Sequence, residues 1–194
     1  MVRVGVLSLQ GAFREHLGAL DSLGVETRKV TTPEHLDGLD AIILPGGESP
    51  AMVRIAAGTG LFPLLRNRIS AGLPVFGTCA GLILLADRLT DDSLDGFDRL
   101  GGLDVLVERN AYGRQRESFV AELEISGFDE PFPGTFIRAP QIMEVGDGIE
   151  ILASDQGRPV LVRQGGIWGA SFHPELGQDM RIHEEFLHSL ASAV

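Results

Sequence analysis

The sequence predicts an α/β fold in three layers: a mostly parallel central sheet flanked by helices, with an antiparallel β extension. Three observations carry that expectation. The first half alternates short apolar runs with helix-period segments in β-α-β-α-β order, the order that builds parallel sheets. Two glycine-bearing turns, Pro45-Gly46-Gly47 and Gly77-Thr78-Cys79-Ala80-Gly81, directly follow such runs. The second half is a series of short strand-like runs separated by turn residues, which predicts antiparallel pieces.

Taken in order, residues 2–9 form a strand with apolar Val2, Val4, Val6 and Leu7. A helix follows over 12–23, because Phe13, Leu17, Leu20 and Leu23 recur at helical spacing, and Gly24 stops it. A second strand covers 25–30. Thr32-Pro33 then opens a short helix to 36, with Pro33 at a position that needs no amide. Residues 40–44 are a buried strand. Ser49 as N-cap and Pro50 as first helical residue open a helix through 57, and another helix spans 61–71. The run 74–76 is a strand, 82–86 a helix and 89–102 an Asp- and Gly-rich loop. Strands are expected at 103–107, 119–125, 135–139, 149–153, 159–163 and 167–172. A closing helix covers 179–193 with Met180, Phe186, Leu187 and Leu190 inward. No linker or repeat interrupts the chain, so residues 1–194 are expected to form a single domain.

The composition sets limits on function. The net charge of −11 argues against nucleic acid or an anionic membrane as main partner, since both select basic surfaces. A single cysteine excludes an internal disulfide framework and a cysteine-based zinc site, and it suits a reducing cytoplasm. The N-terminus has no signal-peptide shape. The uncharged run 69–86 is broken by Gly72, Pro74, Gly77 and Gly81, so it reads as strand and elbow rather than as a membrane span.

That single cysteine stands in Gly77-x-Cys79-x-Gly81, the form of a nucleophile elbow. In an elbow the chain turns sharply from strand to helix, the central side chain is lifted above the sheet edge, and the first helical amides are free to hold negative charge. A buried thiol at a strand–helix junction is the competing reading. A nucleophilic cysteine needs a base, and the base needs an orienting group. Of five histidines, His16, His35, His183 and His188 fall in helices and read as surface residues. His173 follows a strand and precedes Pro174, which biases it to an extended backbone. Glu175 lies close enough to hold one ring nitrogen while the other faces a thiol.

The two segments Gly77-Thr78-Cys79-Ala80-Gly81 and His173-Pro174-Glu175 together resemble the class I (triad) glutamine amidotransferases, which have a flavodoxin-like fold. Leu9-Gln10-Gly11, Arg14-Glu15-His16, Pro45-Gly46-Gly47-Glu48-Ser49, the segment from Arg109 to Gln115, and Phe136-Ile137-Arg138-Ala139-Pro140 resemble one branch, the glutaminase subunits of pyridoxal 5′-phosphate synthase (the PdxT/SNO family). The resemblance covers essentially the whole chain. Pro50 departs from it, since that branch usually carries threonine there.

The resemblance implies hydrolysis of L-glutamine by a triad of Cys79, His173 and Glu175, with no cofactor and no metal. It places the oxyanion hole on the backbone amides of Gly47 and Ala80. It places glutamine contacts on Gly47, Glu48, Ser49, Arg109, Ile137 and Arg138. Glu48 suits the substrate ammonium, and Arg109 or Arg138 its carboxylate; Glu108 and Arg109 are alternatively contacts for a partner. The implied partner is the synthase subunit, which takes the ammonia into pyridoxal 5′-phosphate from ribose 5-phosphate and glyceraldehyde 3-phosphate, and whose docking orders the oxyanion turn. Three other readings stay open at this point. They are an amidotransferase subunit of another pathway, a PfpI-like cysteine-elbow protein (against which His173-Pro174-Glu175 counts), and a silent scaffold.

Overall fold

The computed structural model describes residues 2–109 and 118–191. From Asn110 onward, the Arg109–Gln115 segment lies outside the described residues, as do residues 192–193 of the expected closing helix.

The chain begins with β1 (Arg3–Leu7), α1 (Phe13–Ser22), β2 (Glu26–Val30), a 3-10 turn at Pro33–Leu36 and β3 (Ala41–Leu44). It continues through α2 (Ser49–Ala56), α3 (Leu61–Ser70), β4 (Val75–Thr78), α4 (Ala80–Leu85), β5 (Ala86–Leu89) and β6 (Leu103–Glu108). After residue 118 come β7 (Ser118–Leu123), β8 (Phe132–Ile137), β9 (Gln141–Val145), β10 (Glu150–Asp155), β11 (Arg158–Gln164), β12 (Ile167–Ala170) and α5 (Arg181–Ala191).

The central sheet has seven strands in the order β10-β11-β12-β4-β3-β1-β2. The five strands from β12 to β2 are parallel, and β10 and β11 add the expected antiparallel extension. Alternation along the strands divides the core. In β3, Ile42 and Leu44 face the layer built by α2, α3 and α4, which contributes Met52, Phe62, Leu65 and Leu82. Ala41 and Ile43 face the other layer, with Leu20 of α1, Phe186 of α5 and Phe132 and Phe136 of the β7–β8 hairpin. Sheets covered on both faces read as continuous apolar runs, as β3 and β4 do.

The structure moves several expected boundaries. The expected helix 82–86 begins at Ala80 and ends at Leu85, because Ala86 turns to an extended backbone and starts β5. That strand takes the start of the expected loop and pairs in parallel with β6. The sequence pattern missed β9, which pairs antiparallel with β6. The strand expected at 135–139 is shifted to Phe132–Ile137 and contains Pro133, tolerated in a two-stranded ribbon because an edge strand can spare an amide. Glu48, rather than Ser49, is the N-cap of α2, and Ser49 is already helical.

Candidate active site

The elbow forms between β4 and α4. Cys79 has φ 49° and ψ −101°, a strained backbone for a residue with a side chain and the sign of an over-determined site. What determines it is close packing on both sides. A Cβ on Gly81 would lie 2.1 Å from the Leu44 carbonyl oxygen, and one on Gly77 would lie 2.6 Å from the Gly81 backbone. Only glycine allows the strand and helix to approach this closely. The Cys79 amide donates to the Ala170 carbonyl at 2.8 Å, which ties the elbow to the neighbouring strand β12. Ala80 is the first residue of α4, where helical amides have no intrahelical acceptor.

Register brings the base to the thiol. β4 and β12 are parallel neighbours with Thr78 opposite Ala170, so Cys79 and His173 leave the same edge of the sheet. Ligands bind at that carboxyl edge in open α/β sheets. The His173 amide donates to the Thr135 carbonyl at 2.8 Å, fixing the turn against β8. Its ring Nδ1 lies 2.7 Å from Glu175 Oε1, and the ring lines the same cleft as Cys79. Both residues are nearly buried, with 7% and 4% exposure. Burial alone would lower the basicity of His173. The hydrogen bonds to Cys79 and Glu175, with their charges, overcome it and push the ring up to about 10. Glu175 lies below the usual carboxylate range: burial opposes its charge, but His16 and the hydrogen bond and charge of His173 outweigh burial.

Two histidines expected on the surface are not there. His16 and His183 are fully buried, and their rings meet with His16 Nδ1 3.0 Å from His183 Nε2. His16 Nε2 lies 3.1 Å from Thr78 Oγ1 and 3.4 Å from Glu175 Oε2. The sequence carried a signal for both. His16 lies between Phe13 and Leu20 at helical spacing, and His183 stands three residues before Phe186. Each belongs to the inward stripe of its helix. The other two, His35 and His188, are half-buried and exposed.

Burial lowers the basicity of His16, and that of His183 to about 3. Between the ordinary histidine value of 6.5 and about 3, the unfolded chain binds protons that the folded chain refuses, so stability falls as pH drops through that window. The depressed carboxyl of Glu175 acts in the same direction at the acid end. The raised basicity of His173 contributes fully below 6.5 and is lost only as pH rises through about 10. Melting followed by circular dichroism is therefore expected to show Tm roughly 5–10 °C lower at about pH 4 than at about pH 7.

Above Cys79 and His173 lies a cleft of about 300 Å³. The structure brings Gly47, Glu48, Ser49, Arg109, Ile137 and Arg138, from three separate segments, together on its walls with Cys79 and His173. The turn after β3 is stitched to the turn after β1. The Ala12 amide donates to the Gly46 carbonyl at 3.0 Å, and the Glu48 amide donates to Gln10 Oε1 at 2.8 Å. Gly46 packs so closely that a Cβ there would strike the His173 ring at 2.2 Å. At the mouth Arg138 Nη2 pairs with Glu48 Oε1 at 3.3 Å, both exposed. Arg109 is more enclosed. It hydrogen-bonds Ser93, lies 3.6 Å from Asp91, and leaves its buried Nε without a hydrogen-bond partner among the described residues. Ser49 Oγ is likewise buried without a hydrogen-bond partner, and it makes no cap bond. Gln10 and Leu176 also line the cleft and were not among the expected contacts. Among the described residues, no group of three or more His, Cys, Asp or Glu is placed to hold a metal ion, and no helix is long and apolar enough to cross a membrane.

Known proteins resemble this chain over nearly its whole length. The chain is 50% identical over 194 residues to the pyridoxal 5′-phosphate synthase subunit PdxT of Geobacillus kaustophilus, covering 99% of this chain and 96% of that one. It is 52% identical over 187 residues to the same-named subunit of Thermotoga neapolitana, covering 96% and 98%. A crystal structure of a glutamine amidotransferase superposes with a TM-score of 0.91 at 49% identity, covering 97% of this chain and 98% of that chain. Residues 6–192 match the SNO glutamine amidotransferase family as a whole. With that match and those identities, this chain belongs to the SNO glutamine amidotransferase family.

Proposed function

We propose that this chain, acting as one glutaminase domain in a reducing cytoplasm, hydrolyses the side-chain amide of L-glutamine at Cys79. The ammonia passes to the synthase subunit of pyridoxal 5′-phosphate synthase. The observation that carries the reading is that Cys79 and His173 share the floor of a cleft while Glu175 holds Nδ1 of the ring, which leaves Nε2 as the nitrogen available to the thiol.

The Cys79 thiol gives its proton to the His173 ring as the sulfur attacks the amide carbon of glutamine, and the carbonyl electron pair moves to oxygen. The amides of Gly47 and Ala80 receive that oxyanion; such a donor typically contributes about 10²–10³ in rate. His173, now an imidazolium held by Glu175, gives that proton to the departing nitrogen, and ammonia leaves. The ring, now neutral, takes a proton from water as the water attacks the thioester carbon. Glutamate departs, and the proton held by the ring returns to the Cys79 sulfur. Glu175 keeps the ring oriented and balances its charge through both steps.

Glu48 and Arg138 pair with each other across the mouth of the cleft. An amino acid offers one ammonium and one carboxylate, so glutamine replaces that pair with two charge-assisted contacts. Arg109, on the wall of the cleft with its Nε unpaired among the described residues, is the second candidate for the carboxylate. Pro50 lies in the first turn of α2, where its missing amide leaves no helical acceptor unsatisfied.

Ammonia release from glutamine, assayed with and without the synthase subunit, tests the assignment. Completion of the oxyanion turn by the partner is expected to raise turnover by up to about 10²–10³. Equal turnover in both assays would instead describe a stand-alone glutaminase.

A further inference from the structure

Behind Glu175, away from the cleft, the buried polar groups form a continuous line from α5 to the triad. His183 Nε2 meets His16 Nδ1 at 3.0 Å, and His16 Nε2 faces Thr78 Oγ1 at 3.1 Å and Glu175 Oε2 at 3.4 Å. Glu175 Oε1 meets His173 Nδ1 at 2.7 Å, and His173 reaches Cys79. Nothing in the hydrolysis described above uses His16 or His183, yet both are fully buried polar side chains.

Hydrogen positions follow from two independent constraints. A ring–ring contact of 3.0 Å between neutral imidazoles requires one nitrogen to donate and the other to accept. If His16 carried its proton on Nδ1, its bare Nε2 lone pair would face, at 3.4 Å, the buried carboxylate oxygen Oε2, which has no hydrogen-bond partner among the described residues. In that same arrangement His183 would accept at Nε2 and carry its proton on Nδ1. That atom is buried without a hydrogen-bond partner among the described residues, and orphaned buried N–H groups are rare. The opposite assignment removes both conflicts. His183 Nε2–H donates to His16 Nδ1, and His16 Nε2–H points at Glu175 Oε2 and Thr78 Oγ1. Only a bare lone pair on His183 Nδ1 is then left unpaired, the less costly of the two defects.

We infer that His16 is a positioning residue of the triad: its Nε2–H holds the second oxygen of Glu175, and His183 sets the tautomer that makes this possible. The inference rests on the triad reading above. Outer partners of this kind orient the inner group, and their loss typically costs about 10–100-fold. Thr78 shares the same proton from the residue next to the nucleophile, so the elbow and the acid are referenced to one ring.

Nitrogen-15 NMR of the histidine-labelled full chain reads the tautomers directly on the wild type, so it decides even if a variant fails to fold. Both His16 and His183 are expected as Nε2–H tautomers; a His16 Nδ1–H tautomer would overturn the inference. In glutamine hydrolysis with the synthase subunit present, His16→Leu is expected to lower kcat about 10–100-fold with KM within about twofold. His16→Gln, whose amide nitrogen extends as far as imidazole Nε2, is expected to recover most of that loss. A folded His16→Leu chain with wild-type kcat, or a His16→Gln chain no better than His16→Leu, would also overturn it. A Cys79→Ala control that still released ammonia would remove the triad reading, and this inference with it. The tautomers are measured without glutamine, so the two failures are told apart.

Discussion

Cys79→Ala is expected to lower ammonia release from glutamine by about 10⁴–10⁶-fold, because the nucleophile of a triad acts as one unit with its base. The substitution removes only the sulfur. The elbow backbone is held by Gly77 and Gly81 packed against their neighbours and by the bond from the Cys79 amide to Ala170. Fold and glutamine affinity are therefore expected to survive, with Tm within a few degrees of wild type. Steady-state kinetics with the synthase subunit present, together with a melting curve, check both halves. A Cys79→Ala chain with more than about a hundredth of wild-type turnover would mean that the cleft hydrolyses glutamine without a covalent step.

Glu175→Gln is the second large effect. The amide keeps the shape of the carboxylate but removes its charge, and it can present an N–H to the ring where an acceptor is required. His173 then loses the partner that fixes its Nδ1–H tautomer and stabilises the imidazolium. A comparable change of the orienting acid in another triad costs about 10⁴ in kcat, and a loss of about 10³–10⁴ is expected here with KM little changed. The pH profile adds a signature. With the charge gone, the raised basicity of His173 falls toward the ordinary histidine value, and the imidazolium needed for ammonia departure is lost at lower pH. A Glu175→Gln chain within tenfold of wild type would relieve Glu175 of the orienting role.

Much of the cleft was legible in the sequence because local rules place it. Gly77 and Gly81 flank Cys79 at the spacing an elbow needs, and Pro174 extends the chain at His173. The geometry of parallel strands then brings the ends of β4 and β12 side by side. What was not legible depends on helix rotation and long-range pairing. His16 and His183 were expected on the surface because a histidine in a helix usually faces solvent. Their positions within the apolar stripes of α1 and α5 outweigh that tendency once each finds the other as a buried partner. β5 was hidden because 82–86 reads as one apolar run, and only pairing with β6 decides where the helix stops. The pairing of Glu48 with Arg138 joins residues far apart in the chain, and no local pattern announces it.

The central claim is that glutamine is cleaved through a covalent bond to Cys79. Acid quenching of the full chain during turnover of glutamine with the synthase subunit, followed by mass spectrometry of its peptides, tests this most directly. The account predicts a glutamyl adduct on the peptide carrying Cys79, absent from Cys79→Ala. Steady ammonia production with no adduct at Cys79, under conditions that preserve thioesters, would contradict it.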